Sequence, residues 1–307
     1  MDKLKQKVSD VWSEKIDDNY DFSAKVYWLA VPEVHRRYSK KLIGDHQGSW
    51  ISYCCEKFLG ERLPVKHMAV IGCGNGQLER GLSSLNAFVE CDAFDISDRA
   101  VEFARNEARS QGITNIHYIH TDIEEYEFPD AYYDAIWFKE SLHHISKLEH
   151  VCKGVSRSLK DDGFLFIEEY VGPNRFALSD RQKEVLNAVF TLLPKQYRKS
   201  FFRNYSGKYQ KQVSIPNPQQ VKKVDPSEAV RSSDILPVLS EYFDIVEQRE
   251  LGGTLLHFLL HGIAGNFSEE DPNSMKLLQL LFSIEDVLIE VGDLSSDFVS
   301  IAANPQK

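Results

Sequence analysis

The chain has 307 residues, 42% of them hydrophobic and 27% charged, and a formal charge of −10 from 36 Lys and Arg against 46 Asp and Glu. That balance suits one large globular domain with additions, and the acidity opposes a general phosphate-backbone binder, which needs a basic field. Five cysteines (Cys54, Cys55, Cys73, Cys91, Cys152) form no CxxC pair or zinc-spaced cluster, so a reducing cytoplasm is the simplest expectation.

The N-terminus, MDKLKQKVSDVWSEK, lacks a signal-peptide apolar core. No apolar stretch approaches the ~20 residues that span a bilayer, so neither a membrane nor nucleic acid is an expected partner. Residues 1–62 read as a helical N-terminal lid. Val8, Val11, Trp12 and Ile16 recur at helical spacing, and an aromatic segment with Tyr20, Phe22, Tyr27 and Trp28 follows. Pro32 can open a helix carrying Val34 and Tyr38, and Trp50–Leu59 forms another, ended by Gly60.

From residue 63 the pattern changes to alternating strands and helices. His67–Ile71, Phe88–Phe94, Ile116–His120, Ala135–Phe138 and Phe164–Glu168 read as strands. Gln77–Ser84, Ser97–Gln111 and Lys147–Leu159 read as the helices between them, with Ser97 an N-cap and Gly112 and Gly163 stops. Alternation of this kind predicts an α/β, doubly wound, mostly parallel sheet with right-handed crossovers. Beyond it lie helices at Leu178–Leu193, Ser233–Tyr242, Leu255–Ile263 and Asn273–Val291, strands at Asp244–Arg249 and Phe298–Ala302, and an irregular 195–225. These make a seven-stranded domain over 63–307, with a cap at 174–232 and a helical insertion at 255–292.

Residues 70–76 read VIGCGNG, a strand running through a glycine turn into a helix. Glycines allow the sharp turn, and bare N–H groups at a helix start favour a negative ligand group. The next strand ends at Asp95, 23 residues after Gly72, where an acid can accept both hydroxyls of a ribose. Together these imply an adenosine-like ligand at the carboxyl edge of the sheet. Gln77 occupies the position of the last Gly or Ala in the dinucleotide fingerprint, which weighs against NAD.

With AFDIS at 93–97, HTDI at 120–123 and YDAIWFKESLHHI at 133–145, this stretch resembles the class I S-adenosylmethionine-dependent methyltransferases, whose fold is Rossmann-like. The resemblance implies S-adenosylmethionine as cofactor. It sets Gly72, Gly74 and Gly76 along the methionine part, Asp95 on the ribose and Ile96 against the adenine. It also sets Asp122 on the adenine amino group with Ile123 beside it, and Phe138 and Lys139 closing the methionine side through their backbone. EEYVGPNRF (168–176) and DPSEAVRSSDILPVL (225–239) resemble bacterial methyltransferases acting on small molecules or sugars.

A sulfonium methyl is already activated, so a general base is needed only when the acceptor must lose a proton. His143, His144 and Glu140 follow the fourth strand at the edge where the methyl would lie, with Glu168 and Glu169 as further carboxylates. His257 and His261 are spaced i, i+4 without the Glu of H-E-x-x-H, so helix packing is expected there and no metal. Lys195–Lys223 carries eight basic residues, Lys199 and Arg203 among them, and no acid, interleaved with aromatics. It reads either as a solvated loop or as a cap that attracts an anionic acceptor. Tyr27 and Trp28 are candidates to cover the sulfonium, since aromatic faces attract cations.

The expectation is therefore methyl transfer to a small molecule, at an oxygen of a sugar or secondary metabolite. Nitrogen or carbon methylation and a non-catalytic cofactor-binding scaffold are the alternatives. Methylation of DNA is disfavoured because Phe138-Lys139-Glu140-Ser141 stands where an Asn/Asp-Pro-Pro-aromatic run is expected.

Overall fold

The computed structural model describes residues 3–17 and 25–307; Tyr20 and Phe22 lie outside the described residues, as does the side chain of Ile16. In chain order the helices are α1 (Lys3–Asp17), α2 (Pro32–Ile43), α3 (Trp50–Cys54), α4 (Gln77–Ser84), α5 (Asp98–Ser110), α6 (Leu148–Ser158), α7 (Asp180–Leu192), α8 (Pro218–Val224), α9 (Ile235–Tyr242), α10 (Leu256–Leu260) and α11 (Pro272–Glu290). The strands are β1 (Val65–Ile71), β2 (Phe88–Asp95), β3 (Ile116–His120), β4 (Tyr133–Lys139), β5 (Leu159–Tyr170), β6 (Phe243–Gly252) and β7 (Phe298–Pro305). They form one sheet in the order β3-β2-β1-β4-β5-β7-β6. β1 to β5 run parallel, and β7 is antiparallel to both β5 and β6. This is the expected doubly wound, seven-stranded fold, and its order reverses beside β1, where α/β sheets open a crevice outside the strand ends.

Successive residues of a strand point to opposite faces, and both faces here are covered. Met68 and Val70 join one core with α2, α3, α5 and α7, while Ala69 and Ile71 join the other with α6 and α9. α5 begins where Ser97 Oγ accepts the N–H of Ala100, the cap the sequence suggested. β5 starts earlier than expected because Leu159 pairs with Tyr133 across a register shift.

Within the stretch read as an N-terminal lid, Trp28, Val34, Tyr38 and Trp50 are buried in the sheet core, and Trp50 Nε1 donates to Ser300 Oγ of β7 at 3.0 Å. α1 packs against α5, with Ser13 Oγ 2.9 Å from Ser97 Oγ. Among the described residues, no helix is long and apolar enough to cross a membrane.

Candidate functional site

β1 ends in Gly72, Gly74 and Gly76, all at positive φ (+74, +52 and +82). A Cβ on Gly72 would stand 2.4 Å from the Ser141 Cβ, so the close approach of this loop to the segment after β4 requires glycine. Ser141 Oγ secures that approach by donating to the Ile71 carbonyl at 2.7 Å. Beside Gly74 there is open space. Its N–H donates to Asp95 Oδ2 at 2.9 Å, while Asp95 Oδ1 accepts the N–H of Ser97 at 2.8 Å. The carboxylate at the end of β2 thus ties the glycine loop to the start of α5. Burial raises the Asp95 pKa, with the two N–H bonds pulling the other way.

Gly72, Gly74, Asp95, Ile96, Asp122 and Ile123 line one end of a cavity of about 330 Å³. Gly76 and Phe138, expected beside a cofactor, are not in its lining. Gly76 is the left-handed residue before α4, packed against Ala104, Glu79 and Arg80, and Phe138 lies buried inside β4. After β4 it is Glu140 and Ser141 that line the cavity. Asp122 Oδ1 accepts the Glu124 N–H at 3.1 Å and meets Lys5 Nζ at 3.3 Å. Lys5 also pairs with the buried Glu124 at 2.5 Å, so α1 is latched over this end. Leu4, Val8 and Trp12 of α1 supply its apolar cover. Trp12 thus lines the cavity, whereas Trp28 is locked in the core against Tyr38, His257 and Phe298.

The far end of the same cavity carries Glu140, His144, Arg175, Lys222, Ser227 and Val230. Glu140 follows β4 at φ +49, a conformation uncommon outside glycine. Burial pushes its carboxyl up to about 7, with Glu168 next in effect. Tyr27 hydrogen-bonds toward it from the N-terminal segment.

His143 is clasped between two carboxylates. Its Nδ1 bonds Glu169 Oε1, and its Nε2 lies 3.5 Å from Glu228 Oε1. Burial works against a charge on this ring, but Glu169 and then Glu228 outweigh it and hold the pKa well above the ordinary value. Both ring nitrogens of His143 are therefore engaged by carboxylates. Glu169 is equally committed, accepting N–H groups from Ser141 (3.0 Å), Leu142 (2.6 Å) and Tyr170 (2.7 Å). His144 behaves oppositely: burial, then the charge on His143, lowers its pKa to about 3.

Glu228 was missed by sequence reasoning. It sits 84 residues beyond His144, in a loop with no periodic signal, and only the tertiary fold brings it to the histidines. Of the basic insert's cations, Lys222 alone lines the cavity; Lys199 and Arg203 do not. His257 packs among Trp28, Tyr170 and Phe298, and His261 against Phe202, as expected of helix packing.

Residues 69–167 match the methyltransferase domain family. Over 102 residues the chain is 31% identical to the 27-O-demethylrifamycin SV methyltransferase of Amycolatopsis mediterranei (strain S699), covering 33% of this chain and 37% of that one. Over 103 residues it is 32% identical to the ubiquinone/menaquinone biosynthesis C-methyltransferase UbiE of Vibrio campbellii (strain ATCC BAA-1116), with coverage of 33% and 38%. The matched stretch thus spans well under half of either relative. Among solved structures, the chain is similar in fold to a geranyl diphosphate C-methyltransferase from Streptomyces coelicolor A3(2), in complex with Mg2+, geranyl diphosphate and S-adenosyl-L-homocysteine. That likeness has a TM-score of 0.56 at 14% identity and covers 99% of this chain and 98% of the other.

Proposed function

Because residues 69–167 belong to the class I S-adenosylmethionine-dependent methyltransferase family, we propose that the chain transfers the methyl of S-adenosylmethionine to an oxygen of a small molecule. One observation carries the reading. A single cavity holds the glycine loop, Asp95 and Asp122 at one end and a titratable, partly cationic wall at the other. Gly72, Gly74 and Ser141 would flank the methionine part, Asp95 the ribose, and Ile96, Asp122 and Ile123 the adenine. Bound there, the cofactor supplies an electrophilic methyl whose leaving group is a neutral thioether.

The chain's own part is alignment, exclusion of water and proton transfer. Of the three candidate bases, Glu140 suits neutral pH best, because its pKa of about 7 lies near the operating range. It would accept the hydroxyl proton as the acceptor oxygen bonds to the methyl carbon and the sulfur leaves with its electron pair. His143 is already engaged by Glu169 and Glu228, and His144, with a pKa near 3, is a weak base.

Arg175 and Lys222 at the cavity wall favour an acceptor carrying negative charge. The net charge of −10 supports a small molecule over a polynucleotide, and five buried free thiols support a reducing, cytoplasmic setting. Methyl-labelled S-adenosylmethionine incubated with hydroxylated and carboxylated metabolites tests the reading. Label is expected on an oxygen; label on carbon would favour the chemistry named for the UbiE relative instead. No transfer to any acceptor despite cofactor binding would leave a scaffold.

A further inference from the structure

Beyond methyl transfer, three side chains with metal-ligating atoms gather beside the cavity, of which His144 lines it. One such atom from each of His143, His144 and Glu228 lies within 4.8 Å of the other two. We propose that these residues bind a divalent transition-metal ion, which presents open coordination positions to an oxygen of the acceptor.

The supporting shell gives the trio more than proximity. Glu169 takes the Nδ1 hydrogen of His143 and leaves Nε2 for a metal. Metal-binding histidines commonly have a carboxylate behind the ring in this way, which fixes the tautomer and raises ligand basicity. Ser227 performs the same service for His144. Its hydroxyl donates to Asp225 Oδ1 at 2.6 Å, so toward the His144 Nδ1, 3.1 Å away, it can only accept. Nδ1 therefore carries the hydrogen, and Nε2 keeps the lone pair.

The 3.5 Å between His143 Nε2 and Glu228 Oε1 is also close to the separation of two ligands on one ion with bonds of ~2.1 Å. A metal would stand between Nε2 and Oε1.

The third ligand is carried by a pinned loop. The Arg175 guanidinium donates to the Glu228 carbonyl at 2.8 Å and the Pro226 carbonyl at 2.5 Å, and the Val230 N–H donates to the His143 carbonyl at 3.0 Å. Ligands held on a fixed backbone lose little freedom when a metal enters. Three protein ligands leave at least one position free, the arrangement of reactive rather than purely structural sites. His144 lines the cavity, so an ion held by the trio would stand at the cavity wall, within reach of an acceptor. Two imidazoles and one carboxylate select Zn2+, Co2+, Ni2+ or Fe2+ over Mg2+ and Ca2+, which prefer all-oxygen sites.

The test needs no S-adenosylmethionine and so stands apart from the transfer reading. The chelator-treated full chain is titrated with Co2+ alone, following its visible d–d bands, and with Zn2+ and Mg2+ by calorimetry. The expected result is one Co2+ or Zn2+ per chain, with Mg2+ much weaker. Glu228→Gln, which keeps the side-chain shape, and His144→Ala should each weaken binding at least about tenfold, with the circular dichroism of Glu228→Gln unchanged. Absence of Co2+ bands and Zn2+ heat at large metal excess would overturn the proposal. So would equal affinity in both variants, which would place the ion elsewhere.

Discussion

Gly72 and Glu140 make opposite demands on the backbone: one must lack a side chain, and the other keeps a carboxylate in a conformation that side chains disfavour. Gly72→Ala places a methyl 2.4 Å from Ser141 at φ +74. It should cost about 1–3 kcal/mol of stability and displace the loop from Asp95, so thermal unfolding and cofactor titration should fall together. Glu140→Gln tests the base. Activity is expected to fall as pH drops through about 7, because the carboxylate takes up its proton there. In the variant kcat should fall by about 10²–10⁴-fold, and that acid limb should vanish from the pH–rate profile. A variant that keeps the limb would assign it to another group. At this scale the sequence is readable wherever function is local. The spacing of Gly72, Gly74 and Asp95 announces a ligand loop because both ends of the motif belong to one βαβ unit. That Gly76 and Phe138 stand outside the cavity lining was not readable, since a packing glycine and a ligand-facing glycine look alike in sequence. Nor was the state of His143, which depends on Glu169 behind it and Glu228 across from it.

Among the elements, α1 is the part whose removal should affect binding more than folding. It touches the domain mainly along α5 and through Lys5, while the core closes beneath it. Partly exposed ion pairs contribute up to about 1 kcal/mol, so Lys5→Ala should speed S-adenosylhomocysteine dissociation by up to about fivefold in stopped-flow measurements and change association little. A slower release would mean that Lys5 competes with adenine for Asp122 rather than closing the lid. Most helices of the βαβ region were legible almost to the residue: Gln77–Ser84 matches α4, and Ser97 caps α5 as its side chain suggests. Tyr27 and Trp28 read as candidates to cover the sulfonium because aromatic faces attract cations. The burial of Trp28 against Phe298 of β7 was invisible, since the two lie 270 residues apart.

Over the whole molecule, the acidity of the chain and the parallel sheet set the conditions under which it holds together. His257 sits in an aromatic nest where burial lowers its pKa to about 3. Its unfolded value is near 6.5, so the unfolded chain gains a proton first, and stability is lost as pH falls from about 6.5 toward 3. His257→Phe should reduce the loss of unfolding free energy between neutral pH and pH ~5 by about 2 kcal/mol, measured by urea titration; an unchanged loss would refute the assignment. The doubly wound architecture was legible because strand–helix alternation dictates it. The place of β7 between β5 and β6 was not, because antiparallel insertion of a last strand leaves no mark on its own sequence. The central claim is that the glycine loop and Asp95 hold the adenosyl cofactor, and calorimetric titration of S-adenosylhomocysteine into the wild-type chain and Asp95→Ala tests it directly. The account predicts one site per chain, weakened about 10–100-fold by loss of the charged hydrogen-bond acceptor; no heat with the wild type, or equal affinity in the variant, would contradict it.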